Sequence, residues 1–342
     1  MPHRTFFAFL APSLIAMLIF IALPIVSVAI QAMFIENEQV LIETENCGPF
    51  GCTKSVKVDD AATAALNEAQ PLGRFVGFGT YLDRNHLAFT EVAAAWRGAP
   101  SVGAFLGELF ALPFYKALMF TIAYTAVVTP LVIILGFFIA LAVNALPGLL
   151  KGPVIFVSLL PMIITPLIGS MILFWMIDAN GIIGATLQVL FDDPDLSLKA
   201  SPTLSWITLF VHGVWHSAPF AFVVFYAGLQ TVPQDTLESA MIDGASRWER
   251  VRFVVFPYLA PLATFVALIQ LMDNFRVFEP IVGFNAEANA TSLSWMIYND
   301  LRSTGEPQFG SAAATSMLTI IGVSILLIPV LRRTWADFKR RG

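Results

Sequence analysis

This chain is short of charge. Asp, Glu, Lys and Arg make up only 13% of its 342 residues, against a hydrophobic fraction of 57%. Its mean hydropathy is +0.75. Soluble globular domains carry about 25% charged residues, so a water-soluble enzyme or a nucleic-acid-binding protein is excluded. Cysteine is almost absent: the chain has 2, Cys47 and Cys52, close together in one loop and without metal-ligand spacing. No stretch reads G-x-x-x-x-G-K-[ST], so the chain has no phosphate-binding loop of its own. No nucleophile–base pair or metal-ligating set is legible either, so no catalytic and no metal residue is expected. What the chain has in quantity is long uncharged runs, and these mark a polytopic membrane protein.

The uncharged windows are 5–35, 117–150, 152–177, 200–234, 253–272 and 307–331, which makes six expected transmembrane helices. Each is long enough for about 30 Å of hydrocarbon. Residues 36–116 form a polar insertion, too long and too charged for a turn, and are expected to fold as a small cap or a partly ordered loop. The expected division is 1–35, first transmembrane helix; 36–116, extracytoplasmic insertion; 117–332, a core of five more helices; and 333–342, a basic tail.

Orientation follows from Lys and Arg in short loops. With the N-terminus inside, the cytoplasmic set is Arg4, Lys151, Arg247, Arg250, Arg252, Arg332, Arg333, Lys339, Arg340 and Arg341, ten in all, against only Lys199 and Arg302 outside. The fold class expected is therefore an all-α membrane protein with both termini cytoplasmic. The insertion and both cysteines then lie outside, where a Cys47–Cys52 disulfide can persist.

The stretch at 235–257 is the only long polar segment between two strongly apolar ones. Asp235 with Glu238 reads as a capping box, opening a helix through Leu237, Ala240 and Met241. Gly244 is placed to end it. Ser246 with Glu249 is a second capping box, and Pro257 marks a kink or boundary before the next span. The expectation is an elbow on the cytoplasmic side between the fourth and fifth helices, with Leu237, Ala240 and Met241 as a small uncovered apolar face.

The spelling of that elbow resembles a known loop. Glu238-Ser239-Ala240, then Asp243-Gly244-Ala245, then Val254-x-Phe256-Pro257 is similar to the E-A-A-x3-G-x9-I-x-L-P loop of ABC importer permeases. Ser239 replaces the second position, Val254 the Ile and Phe256 the Leu. Asn144-Ala-Leu-Pro-Gly with Ser158-Leu-Leu-Pro161, and Thr291 to Tyr298 with Phe309-Gly310, resemble stretches of the sugar branch of that family, the maltose and glycerol-phosphate type. The Gly-Gly-Pro usual before the Thr is missing.

The resemblance implies a permease subunit of a bacterial inner-membrane importer for a sugar or related polyhydroxy solute. It implies two copies of an ATP-binding partner, which holds ATP and Mg while this chain binds no cofactor. It also implies an extracytoplasmic solute-binding protein and a second permease, expected to be a paralogue. Glu238, Ser239, Ala240, Asp243, Gly244, Ala245 and Pro257 would then form the coupling contact with the ATPase. The alternative is a secondary transporter driven by an ion gradient, which calls for inverted repeats and broken helices. No internal repeat is visible.

The fifth window carries polar groups. Asp273 lies 15 residues beyond Tyr258, about 22 Å along a helix at about 1.5 Å per residue. Gln270, Asp273, Asn274, Arg276 and Glu279 cluster there, and ionisable groups at such depth usually face a cavity or a partner. Asp273, Arg276 and Glu279 are spaced to pair along one helix face. The expected role is to line a hydrophilic solute path. His212 and His216 share a helix face and are expected to form a hydrogen-bonded pair between helices. Trp175, Trp206 and Trp215 are candidates for stacking on a sugar ring or for anchoring at the membrane interface. Pro161 and Pro166 are candidate kinks in the third span.

Overall fold

The computed structural model describes residues 3–48, 51–199, 201–302 and 307–341, with the side chains of 3–5, 45–48, 51–54, 333, 334 and 336–341 outside the description. Among the described residues, five helices are long and apolar enough to cross a membrane: Phe6–Gln31, Pro113–Asn144, Pro202–Leu229, Arg247–Phe275 and Phe309–Arg332. A sixth crossing arises if the bent pair Gly148–Ile163 and Pro166–Met176 counts as one span.

That pair corrects the third expected span. It is not one helix; its halves meet at 95°. Ile164 and Thr165 are extended, with ψ of 130° and 143°. Thr165 precedes Pro166, whose ring disfavours helical backbone in the residue before it. Pro161, by contrast, sits inside the first half. The break leaves carbonyls at the end of the first half without intrahelical partners.

Two other prolines are absorbed without a break. Phe6–Gln31 contains a π-turn at Leu18–Ala22, where the Leu23 N–H donates to the Leu18 carbonyl. Pro24 follows at once. Arg247–Phe275 repeats the device at Val251–Val255, where Phe256 N–H donates to the Val251 carbonyl and Pro257 comes next. A proline lacks the N–H and clashes with the carbonyl four residues back; widening the preceding turn accommodates both. Pro257 is therefore no boundary. The fifth helix is longer than the window 253–272 and takes in the second capping box.

The chain divides into two compact units, residues 1–115 with 296–320, and 116–295 with 321–342. The first unit departs from the all-α expectation. Phe34–Ile35 pairs antiparallel with Arg74–Phe75, and Leu41–Gly48 pairs antiparallel with Gly51–Val58. Helices Asp60–Ala69, Phe89–Gly98 and Val102–Leu109 complete the insertion. Asp59 caps the first of these through the N–H groups of Ala61 and Ala62, and Ser101 caps the last. The insertion is thus a folded segment of strands and helices, and it gives way to helix at Pro113, before Lys116. Cys47 and Cys52 are cross-strand partners in backbone register; their side chains lie outside the described residues.

The second unit holds the main core. Phe120, Val128 and Val132 of Pro113–Asn144 pack with Leu209, Phe222 and Phe225 of Pro202–Leu229 and with Leu259 and Ile281. Gly136 permits this crossing. A Cβ there would lie 2.5 Å from Ala221 Cβ and 2.8 Å from the Phe222 backbone nitrogen. Without a hydrophobic force between helices in lipid, such small-residue contacts carry the packing.

Candidate functional site

The second unit contains a cleft of about 580 Å³, and all five polar residues singled out near the end of the fifth helix line it: Gln270, Asp273, Asn274, Arg276 and Glu279. Tyr124, His216 and Ser217 join them from two other helices. The five residues do two different jobs. Gln270 and Asn274 are buried, at 4% and 5% exposure. Asn274 Nδ2 donates to Thr129 Oγ1 at 3.0 Å and to Gln270 Oε1 at 3.4 Å. This amide pair ties the fifth helix to Pro113–Asn144 and forms a neutral floor. Asp273 and Arg276 are open to the cleft and pair at 2.8 Å.

Glu279 departs from the expected ladder. The helix ends at Phe275 with Arg276 as its C-cap. Glu279 opens a separate short helix, Glu279–Gly283, so the three-residue spacing does not carry it along one face. It reaches the cleft because that short helix packs on Pro166–Met176: Ser170 Oγ donates to the Glu279 carbonyl at 3.5 Å. The chain's turn after Phe275 and the broken third span together bring Glu279 in.

The histidines differ from expectation. Their rings stack, with centroids 6.0 Å apart and planes at 6°. His216 faces the cleft. His212 is 1% exposed, and neither of its ring nitrogens has a protein partner. Among the described residues no group of three His, Cys, Asp or Glu side chains converges as metal ligands would. None of the three candidate tryptophans lines the cleft. Trp206 Nε1 donates to the Asn289 carbonyl at 3.0 Å, while Trp175 and Trp215 are exposed on their helices.

Tyr124 and Ser217, which line the cleft, and Thr129, which anchors its floor, were missed by reading the sequence. Tyr124 and Thr129 lie in a run that looks uniformly apolar. The available signal was Thr121, Thr125 and Thr129, four residues apart and all buried. Thr121 and Thr125 bond back to the carbonyls of Ala117 and Thr121. Thr121 Oγ1 also receives the Leu293 N–H at 3.2 Å, and Thr129 receives Asn274.

At the elbow the first helix is Gln234–Ile242, with Pro233 as N-cap and no side-chain cap. Asp235 therefore stands one step inside, where its charge favours the helix N-terminus, and the first capping box is not formed. The C-terminus follows the expectation. Gly244 has φ +82°; its N–H donates to the Met241 carbonyl and the Ala245 N–H to the Ala240 carbonyl, both at 3.0 Å. That is the paired bonding of a Schellman end, with Asp243 as C-cap. The second box is complete: Glu249 Oε2 accepts from Ser246 N–H at 2.7 Å, and Ser246 Oγ accepts from Glu249 N–H at 3.3 Å. Glu238 is exposed, and Ser239 Oγ donates to the Asp235 carbonyl at 2.8 Å. The uncovered apolar face is the expected one only at Met241. Leu237 packs on the chain's own core, while Met241 and Ile242 are 49% and 86% exposed.

Comparison with known proteins agrees with these features. The chain is 29% identical to the trehalose/maltose transport system permease protein MalF of Thermococcus litoralis, over 68% of this chain and 79% of that protein. It is 29% identical to the trehalose transport system permease protein SugA of Mycobacterium tuberculosis, over 72% of this chain and 79% of that protein. Its fold is similar to a chain of a bacterial ABC transporter involved in import of the acidic polysaccharide alginate, with a TM-score of 0.65, 17% identity, and coverage of 97% of this chain and 96% of that one. Residues 99–333 match the family described as the binding-protein-dependent transport system inner membrane component, and the chain belongs to that family.

Proposed function

We propose that this chain is the permease subunit of an ABC importer in the bacterial inner membrane, carrying a sugar or related polyhydroxy solute. The observation that carries the reading is the cleft: a space of about 580 Å³ with a buried amide floor and an open Asp273–Arg276 pair. A polyhydroxy solute needs both donors and acceptors, and amides and carboxylates supply them. The sugar named for each of the relatives supports the same solute class. Family membership supports an ATP-driven system over an ion-gradient carrier.

In this reading both termini and the elbow are cytoplasmic, residues 36–116 lie outside, residues 117–332 form the core and residues 333–342 the tail. Two copies of a separate ATPase hold ATP and Mg, a solute-binding protein delivers the cargo, and a paralogous permease completes the pore. The elbow meets the ATPase through Glu238, Ser239, Ala240, Asp243, Gly244 and Ala245, with Pro257 closing the motif inside the fifth helix. The exposed Met241 and Ile242 support a docked partner there. Cys47 and Cys52, paired in backbone register, bridge outside. Two free thiols on labelling unfolded, unreduced protein would remove that bridge.

Asp273→Asn tests the cleft. Losing a charged hydrogen bond to solute costs about 1.5 kcal/mol, so binding-protein-dependent uptake falls about tenfold while the ATPase still co-purifies. Unchanged uptake would take Asp273 out of the path.

A further inference from the structure

The unit that contains the insertion has a cavity of its own, about 790 Å³, which shares no lining residue with the cleft. Its wall is acidic. Glu36, Glu38 and Asp83 line it, and no Lys or Arg is among its described lining residues. Glu36 is held in place from behind: its Oε1 accepts the Gly310 N–H at 2.7 Å. Two further wall residues, Thr80 and His86, are 6% and 1% exposed.

Both carry an unpaired polar atom, Thr80 Oγ1 and His86 Nδ1. Such groups are normally satisfied. Nε2 of His86 lies 3.1 Å from both the Ser311 carbonyl and the Thr315 hydroxyl, which leaves Nδ1 as its unpaired atom. The wall therefore offers three carboxylates and two unpaired buried atoms, with no Lys or Arg among its described residues. Behind Ser311, burial pushes the Asp300 carboxyl above its ordinary value, against the opposing pull of the Ser311 hydroxyl bond and of His86, with a last upward contribution from Glu36.

We propose that this cavity is a binding site for a small primary ammonium, drawn by the negative charge that Glu36, Glu38 and Asp83 place on its wall. An ammonium brings positive charge and several N–H donors to a wall of acceptors. A metal ion fits less well. The volume is that of a small-molecule pocket, and among the described residues no three metal-type ligands converge. The cavity also lies beside two span ends in the same unit: Ile35 follows the helix that ends at Gln31, and Gln308 and Ser311 flank Phe309, where the last span begins. At that level a primary ammonium has two sources, a free amine and an ethanolamine lipid headgroup.

The test uses the full chain assembled with its transporter partners in phosphatidylcholine nanodiscs. Titration with ethanolamine is expected to give saturable binding. Choline, which has no N–H donor, and a neutral disaccharide are expected not to compete. Glu38→Gln with Asp83→Asn, both exposed positions, is expected to weaken ethanolamine binding at least tenfold. If that pair impairs folding, Thr80→Val serves as the second variant, with a smaller loss expected. Native mass spectrometry after mixing in phosphatidylethanolamine separates the sources: retention by the wild type and not by the variant identifies the headgroup, and ethanolamine binding without lipid retention identifies a free amine. Absence of both, or binding equal in the wild type and a folded variant, overturns the site.

Discussion

The helices Phe6–Gln31 and Pro113–Asn144 have nearly the same hydropathy, 2.7 and 2.8, yet 0% of the first and 39% of the second is buried within the chain. Both read as spans. Both carry alanines, and the first also has Ser13 and Ser27; what separates them is a glycine at a helix crossing and a buried row of threonines. Pro113–Asn144 has Gly136, where a neighbouring helix comes within van der Waals range of the backbone, and the buried Thr121, Thr125 and Thr129. Phe6–Gln31 has neither glycine nor threonine. In lipid, apolar surface alone gives no reason for helices to associate. The uncovered first helix is left for lipid or for the second permease of our proposal.

The sharpest way to break that comparison is to overfill the packed helix and alter the open one. Gly136→Leu forces a side chain into Ala221 and the Phe222 backbone, and overpacking costs about 3 kcal/mol or more. We expect little folded protein by detergent size exclusion and a strongly lowered Tm. Phe20→Leu, on a residue 78% exposed, is expected to leave both unchanged. Equal effects would mean that the two helices are covered alike.

A smaller effect is expected at Gly244, which is the converse of Gly136. A Cβ at Gly244 meets nothing within 4 Å, but its φ is +82°. Space allows a side chain and the backbone resists it, at about 1–2 kcal/mol. Gly244→Val is expected to insert and reach normal abundance while the elbow helix is misaimed. A pull-down with the ATPase, run beside an uptake assay, checks this; normal coupling would reduce the elbow to a connection.

The smallest effect lies outside the spans. Lys199 Nζ donates to Asp178 Oδ2 at 2.9 Å and sits 3.4 Å from the centroid of the Phe174 ring. The Lys199 hydrogen bond, then the Asn180 N–H, hold the Asp178 carboxyl below its ordinary value. A depressed folded value means stability that is present above the unfolded value and is lost as pH falls through the folded one. Lys199→Met is expected to flatten the acid limb of a Tm-against-pH curve and to leave the neutral region little changed. An unaltered acid limb would show that the pair contributes nothing there.

Much of this protein was legible in one dimension because membrane insertion depends on composition over a window. Charge scarcity, long apolar runs and the spelling around Gly244 establish the class and the family. The Schellman end and the Ser246–Glu249 box were readable because capping is local. The Asp235 box was not, since the backbone of Pro233 starts the helix earlier than side-chain spacing suggests. The break before Pro166 was legible as a candidate kink, and only its 95° angle came from the fold; the arrival of Glu279 in the cleft and the bond from Asn274 to Thr129 were decided only by tertiary structure. The physical reason is that a polar group buried among spans takes its partner from another helix, here 145 residues away, and no local pattern records which one that will be.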